Sequence, residues 1–159
     1  MLKLLPILFF AAVNISQISI FEIDGIFSNG HINAIKRYVG ENELRETNLF
    51  VIQYNATDTS ENSVVELQEL LKAIKTPKAI WVGPNETTVD AELLKSFDYV
   101  GISPGTTIIN KLSNSEFEFT NQEGIYEGYM VVGSIGAFIE NLGSEKIISN
   151  LTSLEGRTP

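Results

Sequence analysis

Apolar and polar positions group along the chain into blocks of two kinds. Runs rich in β-branched and aromatic residues, ISIFEI at 18–23, LFVIQY at 49–54, AIWVG at 79–83 and DYVGIS at 98–103, read as strands. Between them lie stretches with helical spacing. Ile32, Ile35 and Val39 share one face of a helix over 31–39, introduced by Ser28-Asn29-Gly30. Val64, Leu67, Leu70, Leu71 and Ile74 share a face over 63–75, with Ser63-Val64-Val65-Glu66 as a capping box and Thr76-Pro77 as the stop. Leu93, Leu94 and Phe97 mark a short helix between Thr88 and Phe97. Asp24-Gly25 closes the first strand, the polar stretch NATDTSEN at 55–62 is a loop, and Pro104-Gly105 turns the chain after the fourth strand.

Strand and helix alternate through this region. That order predicts an α/β fold with parallel strands joined by right-handed crossovers. The unbroken apolarity of 49–54 marks a strand covered on both faces. After Thr107 the pattern weakens. Residues 111–123 are polar and read as irregular, and Tyr129 to Val132 as an edge strand. Ser134 caps a helix carrying Ile135, Phe138, Ile139 and Leu142.

The N-terminus follows a different pattern. Lys3 precedes LLPILFFAAV at 4–13, too short for a spanning helix, which needs about 20 residues, but matching the apolar core of an export signal. The expectation is a signal peptide or N-terminal anchor over 1–17, one domain over 18–148 and a flexible tail over 149–159. The protein is then exported and extracytoplasmic, secreted or held by its hydrophobic segment.

Composition narrows the chemistry. The chain has 159 residues, 43% hydrophobic and 19% charged, a globular balance. A formal charge of −9 argues against nucleic acid as a partner. Without cysteine there is no disulfide, thiolate nucleophile or thiolate metal site, and the lone His31 excludes a His-rich metal centre. No cofactor is expected. No G-x-S-x-G, P-loop, G-x-G-x-x-G or H-E-x-x-H motif occurs. Asp24, Asp58, Asp90 and Asp98 lie near strand ends, where α/β sheets place ligands. Aspartates are also turn and cap residues, and that reading is preferred here, as is a surface or cap position for His31.

The order of segments carries more than any short motif. ISIFEIDGIF, then LFVIQYNATDTSENSVVELQELLKAIKTPKAIWVGP, then DYVGISPGTTI resembles the protease domain of NfeD-type membrane-bound serine proteases, the ClpP class of the crotonase-like superfold. Ser103-Pro104-Gly105-Thr106-Thr107-Ile108 is similar to that family's A-P-G-T-x-I-G motif. EGIYEGYMVVGSIGAFIENL, from Glu123, is similar to its E-E-A-L-x-x-G segment and the helix after it. The resemblance covers about residues 18–142 and implies a shortened ClpP/crotonase-like core with flanking helices.

The departures point away from catalysis. The family's D-T-P-G-G loop donates backbone N–H groups to the oxyanion, whereas this chain has Tyr54-Asn55-Ala56-Thr57-Asp58. Thr88 falls in the slot of the nucleophilic serine, with Thr87 as the neighbouring alternative. Ser115 falls in the slot of the lysine base, and Lys111 is out of register. The resemblance thus implies a degenerate protease homologue acting as a binding or assembly module. Its partners are a homodimer mate, a membrane-associated family member, or a peptide or protein ligand. The alternative is a residual serine/threonine-type peptidase using Thr88, with Lys95 or Lys111 as base.

Overall fold

The computed structural model describes residues 18–40, 48–59, 61–84, 87–110, 115–118, 123–126 and 128–142. The expected signal or anchor, Lys111 and the 149–159 tail lie outside them. Among the described residues nine strands and four helices follow one another: β1 (Ile18–Phe27), α1 (Asn29–Gly40), β2 (Leu49–Thr59), α2 (Glu61–Lys72), β3 (Lys78–Val82), β4 (Thr88–Asp90), α3 (Ala91–Leu94), β5 (Tyr99–Ile102), β6 (Thr107–Asn110), β7 (Ser115–Glu118), β8 (Gly124–Tyr126), β9 (Tyr129–Val131) and α4 (Ile135–Leu142). These form a six-stranded sheet ordered β1-β2-β3-β5-β9-β8 and a three-stranded sheet ordered β4-β6-β7. In the larger sheet β1, β2, β3, β5 and β9 run parallel, and β8 pairs antiparallel with β9 at the far edge. The expected parallel α/β core is present.

Alternate residues of the central strands face two different cores, as expected for strands apolar on both sides. On one face Ile23, Phe27, Phe50, Ile52, Tyr54, Ile80, Val82, Ile102 and Val131 pack against Ile32 and Ile35 of α1, Val64, Leu67 and Leu71 of α2, and Val89, Ile108 and Leu93 from the small sheet and α3. On the other face Leu49, Val51, Ala79, Trp81, Met130 and Val132 pack under Phe138 and Leu142 of α4. Trp81 Nε1 donates to Val132 O at 3.2 Å, satisfying its one polar group inside that smaller core. Gly101 lies directly beneath Phe138, and a Cβ there would enter the ring, so glycine is what lets α4 seat on β5.

Several elements depart from the sequence reading. β1 does not stop at Asp24-Gly25. Gly25 takes φ +73°, the ladder shifts register between Gly25 and Ile26, and pairing resumes at Ile26↔Asp58. β2 likewise continues through NATDT, because β1 supplies a ladder partner for its polar end. Helix α2 therefore begins at Glu61, which places Ser63 and Glu66 inside it rather than as a capping box. Thr88 lies on a strand rather than a helix, and Ser115–Glu118 inside the supposedly irregular stretch is β7, antiparallel to β6. Ser134 does cap α4, its Oγ accepting from Ala137 N at 3.1 Å. No helix among the described residues is long and apolar enough to cross a membrane.

Candidate functional site at the carboxyl ends of the parallel strands

Parallel α/β sheets open their ligand crevice at the carboxyl ends of the strands. Here that end is built from Asp24 of β1, Asn55 of β2, the Gly83-Pro84 turn after β3, and Thr87 and Thr88 entering β4. The Gly83–Pro84 peptide is cis, and Gly83 N donates to Tyr54 O at 2.9 Å, which holds the turn against β2. Thr107 N donates to Thr87 O at 3.0 Å, so the second sheet is tied to the same spot.

A polar chain crosses this end. Thr87 Oγ1 donates to Asn55 Oδ1 at 3.4 Å, and Asn55 Nδ2 donates to Asp24 Oδ1 at 3.0 Å. Asp24 Oδ1 also accepts from Gly25 N at 3.1 Å. Thr87 is buried at 7%, whereas Thr88 is exposed and pairs with Thr107 across the ladder. The hydroxyl taken into the interior is thus the one adjacent to Thr88. Its acceptor is a neutral carboxamide, which orients a hydroxyl but does not remove its proton. An activated nucleophile needs a base in that place.

The other expected participants are elsewhere. Lys95 Nζ is 2.9 Å from Glu92 Oε1 in an exposed ion pair, and Lys78 Nζ donates to Ile74 O at 2.9 Å. Asp90 caps the short α3, accepting from Glu92 N at 2.9 Å. Asp98 Oδ2 accepts from Lys78 N at 2.8 Å, bracing the amino end of β3, the opposite end of the sheet from the crevice. Asp58 is exposed beside Ile26. His31 Nδ1 accepts from Ser28 N at 3.3 Å while Ser28 O accepts from His31 N at 3.1 Å, a reciprocal cap at the start of α1. Its ring meets Phe27 edge-on at 5.9 Å. Among the described residues no group of three or more His, Asp or Glu is placed to hold a metal.

The segment expected to furnish oxyanion donors is extended strand. Residues 55–59 ladder with 24–27 of β1. Thr57 is skipped at the register shift, and outside that point successive N–H groups of the strand point to opposite sides, whereas an oxyanion hole needs donors converging on one oxygen. Ser103-Pro104-Gly105-Thr106 is a tight turn between the sheets, with Gly105 at φ +85°, Thr106 Oγ1 donating to Ser103 O at 2.7 Å and both side chains buried. Asn55 and Thr87 were the participants hardest to read from sequence. An amide has no titration to mark it, and these residues meet only once β2, β3 and β4 are assembled.

No protein-family model matches the chain, and no curated protein matches it in sequence. Solved structures do match in shape. The 1510-N membrane protease specific for a stomatin homolog from Pyrococcus horikoshii aligns with TM-score 0.61 at 13% identity, over 78% of this chain and 77% of that one. A putative enoyl-CoA hydratase/carnithine racemase from Magnetospirillum magneticum AMB-1 aligns with TM-score 0.57 at 10% identity, over 90% and 79%. A variant of the 1510-N protease in complex with a substrate peptide aligns with TM-score 0.48 at 15% identity, over 64% of this chain and 51% of that one. In that alignment the chain spans about half the protease's length. A stomatin-specific membrane protease and an enoyl-CoA hydratase homologue share one scaffold, and this chain, with its mostly parallel sheet and flanking helices, has that ClpP/crotonase-like fold.

Proposed function

We propose that the protein is an exported ClpP-class, NfeD-like protease domain that has lost catalysis and serves as a binding or assembly module. The observation that carries this reading is the Thr87–Asn55–Asp24 chain, in which a neutral amide stands between the buried hydroxyl and the carboxylate. Ser–Lys peptidases need an activated hydroxyl, a desolvated lysine and converging N–H donors together. Here Lys95 is spent on an exposed ion pair and residues 55–59 are ladder strand. One missing oxyanion donor by itself costs about 10²–10³ in rate. The apolar run LLPILFFAAV behind Lys3 supports a location outside the cytoplasm.

The test exposes the purified protein, with Thr87→Ala and Thr88→Ala variants, to apolar peptides and to a fluorophosphonate that labels activated hydroxyls. No cleavage and no labelling in any of the three is expected. Labelling or turnover that either substitution abolishes would establish the residual peptidase instead and assign its nucleophile.

A further inference from the structure

We propose that the outer edge of β1 docks an extended, basic peptide segment of a partner protein, which adds to the six-stranded sheet as a further strand. The inference deepens the binding-module reading and rests on it for the need of a partner, but it uses a strand edge rather than the threonine hydroxyls.

β1 is ten residues long and borders the sheet, and among the described residues its one ladder partner is β2. A border strand of that length templates another chain unless it is blunted by proline, lysine, a bulge or short length. β1 has no proline and no lysine, and its register shift comes only after Gly25, with the extra residue in β2, so Ile18 to Asp24 pair in unbroken register. Its outward face is patterned as well. Ile20 is 52% and Ile26 66% exposed, and between them Glu22 and Asp24 are also exposed on the same side. Most strands at such a position turn polar side chains outward, whereas this face reads apolar, acidic, acidic, apolar.

Charge selects the occupant. If a second copy paired through β1 about a two-fold axis, residues facing the same way would meet. The well-overlapped registers then set Glu22 or Asp24 against a carboxylate of the other copy. Like charges opposite one another destabilise a ladder, and a net charge of −9 on each copy adds to the repulsion. A strand with lysine or arginine opposite Glu22 and Asp24 and aliphatic residues opposite Ile20 and Ile26 satisfies every position. The face also leads into a surface depression of about 400 Å³ where Ile26 and Asp58 are joined by Glu66 of α2. A further long cationic side chain fits there, its stem on Ile26 and its head at the carboxylates.

The experiment uses the full chain and a capped, fluorescent peptide of about ten residues alternating valine with lysine. Two controls accompany it: a valine–glutamate peptide, and the valine–lysine peptide with alternate backbone nitrogens methylated. Fluorescence anisotropy is expected to show saturable binding of the first peptide alone, weakening as salt is raised. Replacing Glu22 by Lys is expected to weaken binding by about tenfold, and Glu22→Gln by less, with circular dichroism unchanged because the site is exposed. Equal binding of the methylated peptide would overturn strand addition. Equal binding of the glutamate peptide, or no binding, would overturn the basic ligand. A dimer in sedimentation that Glu22→Lys alters would make a second copy the occupant and overturn the proposal. Fluorophosphonate labelling, which reads the hydroxyls alone, separates any of these failures from failure of the non-catalytic reading.

Discussion

The two faces of the large sheet are built differently. One is roofed by α1, α2, α3 and the small sheet, whose apolar residues merge into a single core. Among the described residues the other carries α4 alone, over Trp81, Val51 and Met130 near the middle of the sheet, and Ile20 and Ile26 at the β1 end of the same face are exposed. The first face has many independent contributors to its stability. The second depends on the fit of one eight-residue helix to one glycine and one tryptophan. The molecule is redundant on the first face and not on the second.

The largest effect is expected from removing one large side chain from each face. Phe138→Ala is expected to cost about 3–5 kcal/mol and Leu67→Ala about 2–5 kcal/mol. The distinction lies in how the loss is spread. Amide exchange in Phe138→Ala should accelerate first in α4 and β9, leaving β1 to β3 protected, whereas Leu67→Ala should lower protection across the sheet. Uniform acceleration in both variants would show that the faces are energetically one unit.

A smaller effect is expected at Gly83. A Cβ there would lie 2.6 Å from Trp81 Cη2 and 3.0 Å from Ser103 Cβ, and neither neighbour is a flexible chain end. Gly83→Ala should destabilise by about 1–3 kcal/mol in urea denaturation. Double replacement with Phe138→Ala should cost less than the sum of the two, since the smaller core relaxes once α4 loosens. Additive costs would mean that Trp81 is fixed independently of the helix.

The smallest expected change is on the well-roofed face. Asp90→Ala removes the cap of α3 and should cost about 1 kcal/mol by the same measurement. Asp90→Asn should restore most of it, because the amide oxygen still accepts from Glu92 N. A cost above about 2 kcal/mol would show that α3 contributes more to the large core than its length implies.

Much of this architecture was legible because central parallel strands are apolar on both sides, so β1, β2, β3 and β5 announce themselves as runs. Short strands have no room for periodicity. Thr87-Thr88-Val89 and Thr107-Ile108-Ile109 are β-branched triplets, the one local signal for β4 and β6, and a helical reading of Leu93, Leu94 and Phe97 absorbs the first of them. NATDT is turn-like by composition and becomes strand because β1 lies beside it. The polar chain at the crevice was less accessible still. Its members, Asp24, Asn55 and Thr87, lie 31 and 32 residues apart in sequence and meet through crossovers that sequence spacing does not encode.

The irregularity between Gly25 and Ile26 has a consequence for how the chain tolerates change in length. In a ladder, a one-residue slip exchanges the buried and exposed sets of every residue beyond it. Here the partners of Gly25 and Ile26 are Ala56 and Asp58, so one residue of β2, Thr57, is already absorbed at that point. The core pairs from Ile18↔Leu49 to Tyr54↔Ile23 lie on one side of it and the crevice rim on the other. Insertions or deletions that reshape the rim can therefore accumulate beyond Ala56 without re-threading Phe50, Ile52 and Tyr54. The bulge works as a buffer, insulating the alignment of the interior from changes in length at the rim.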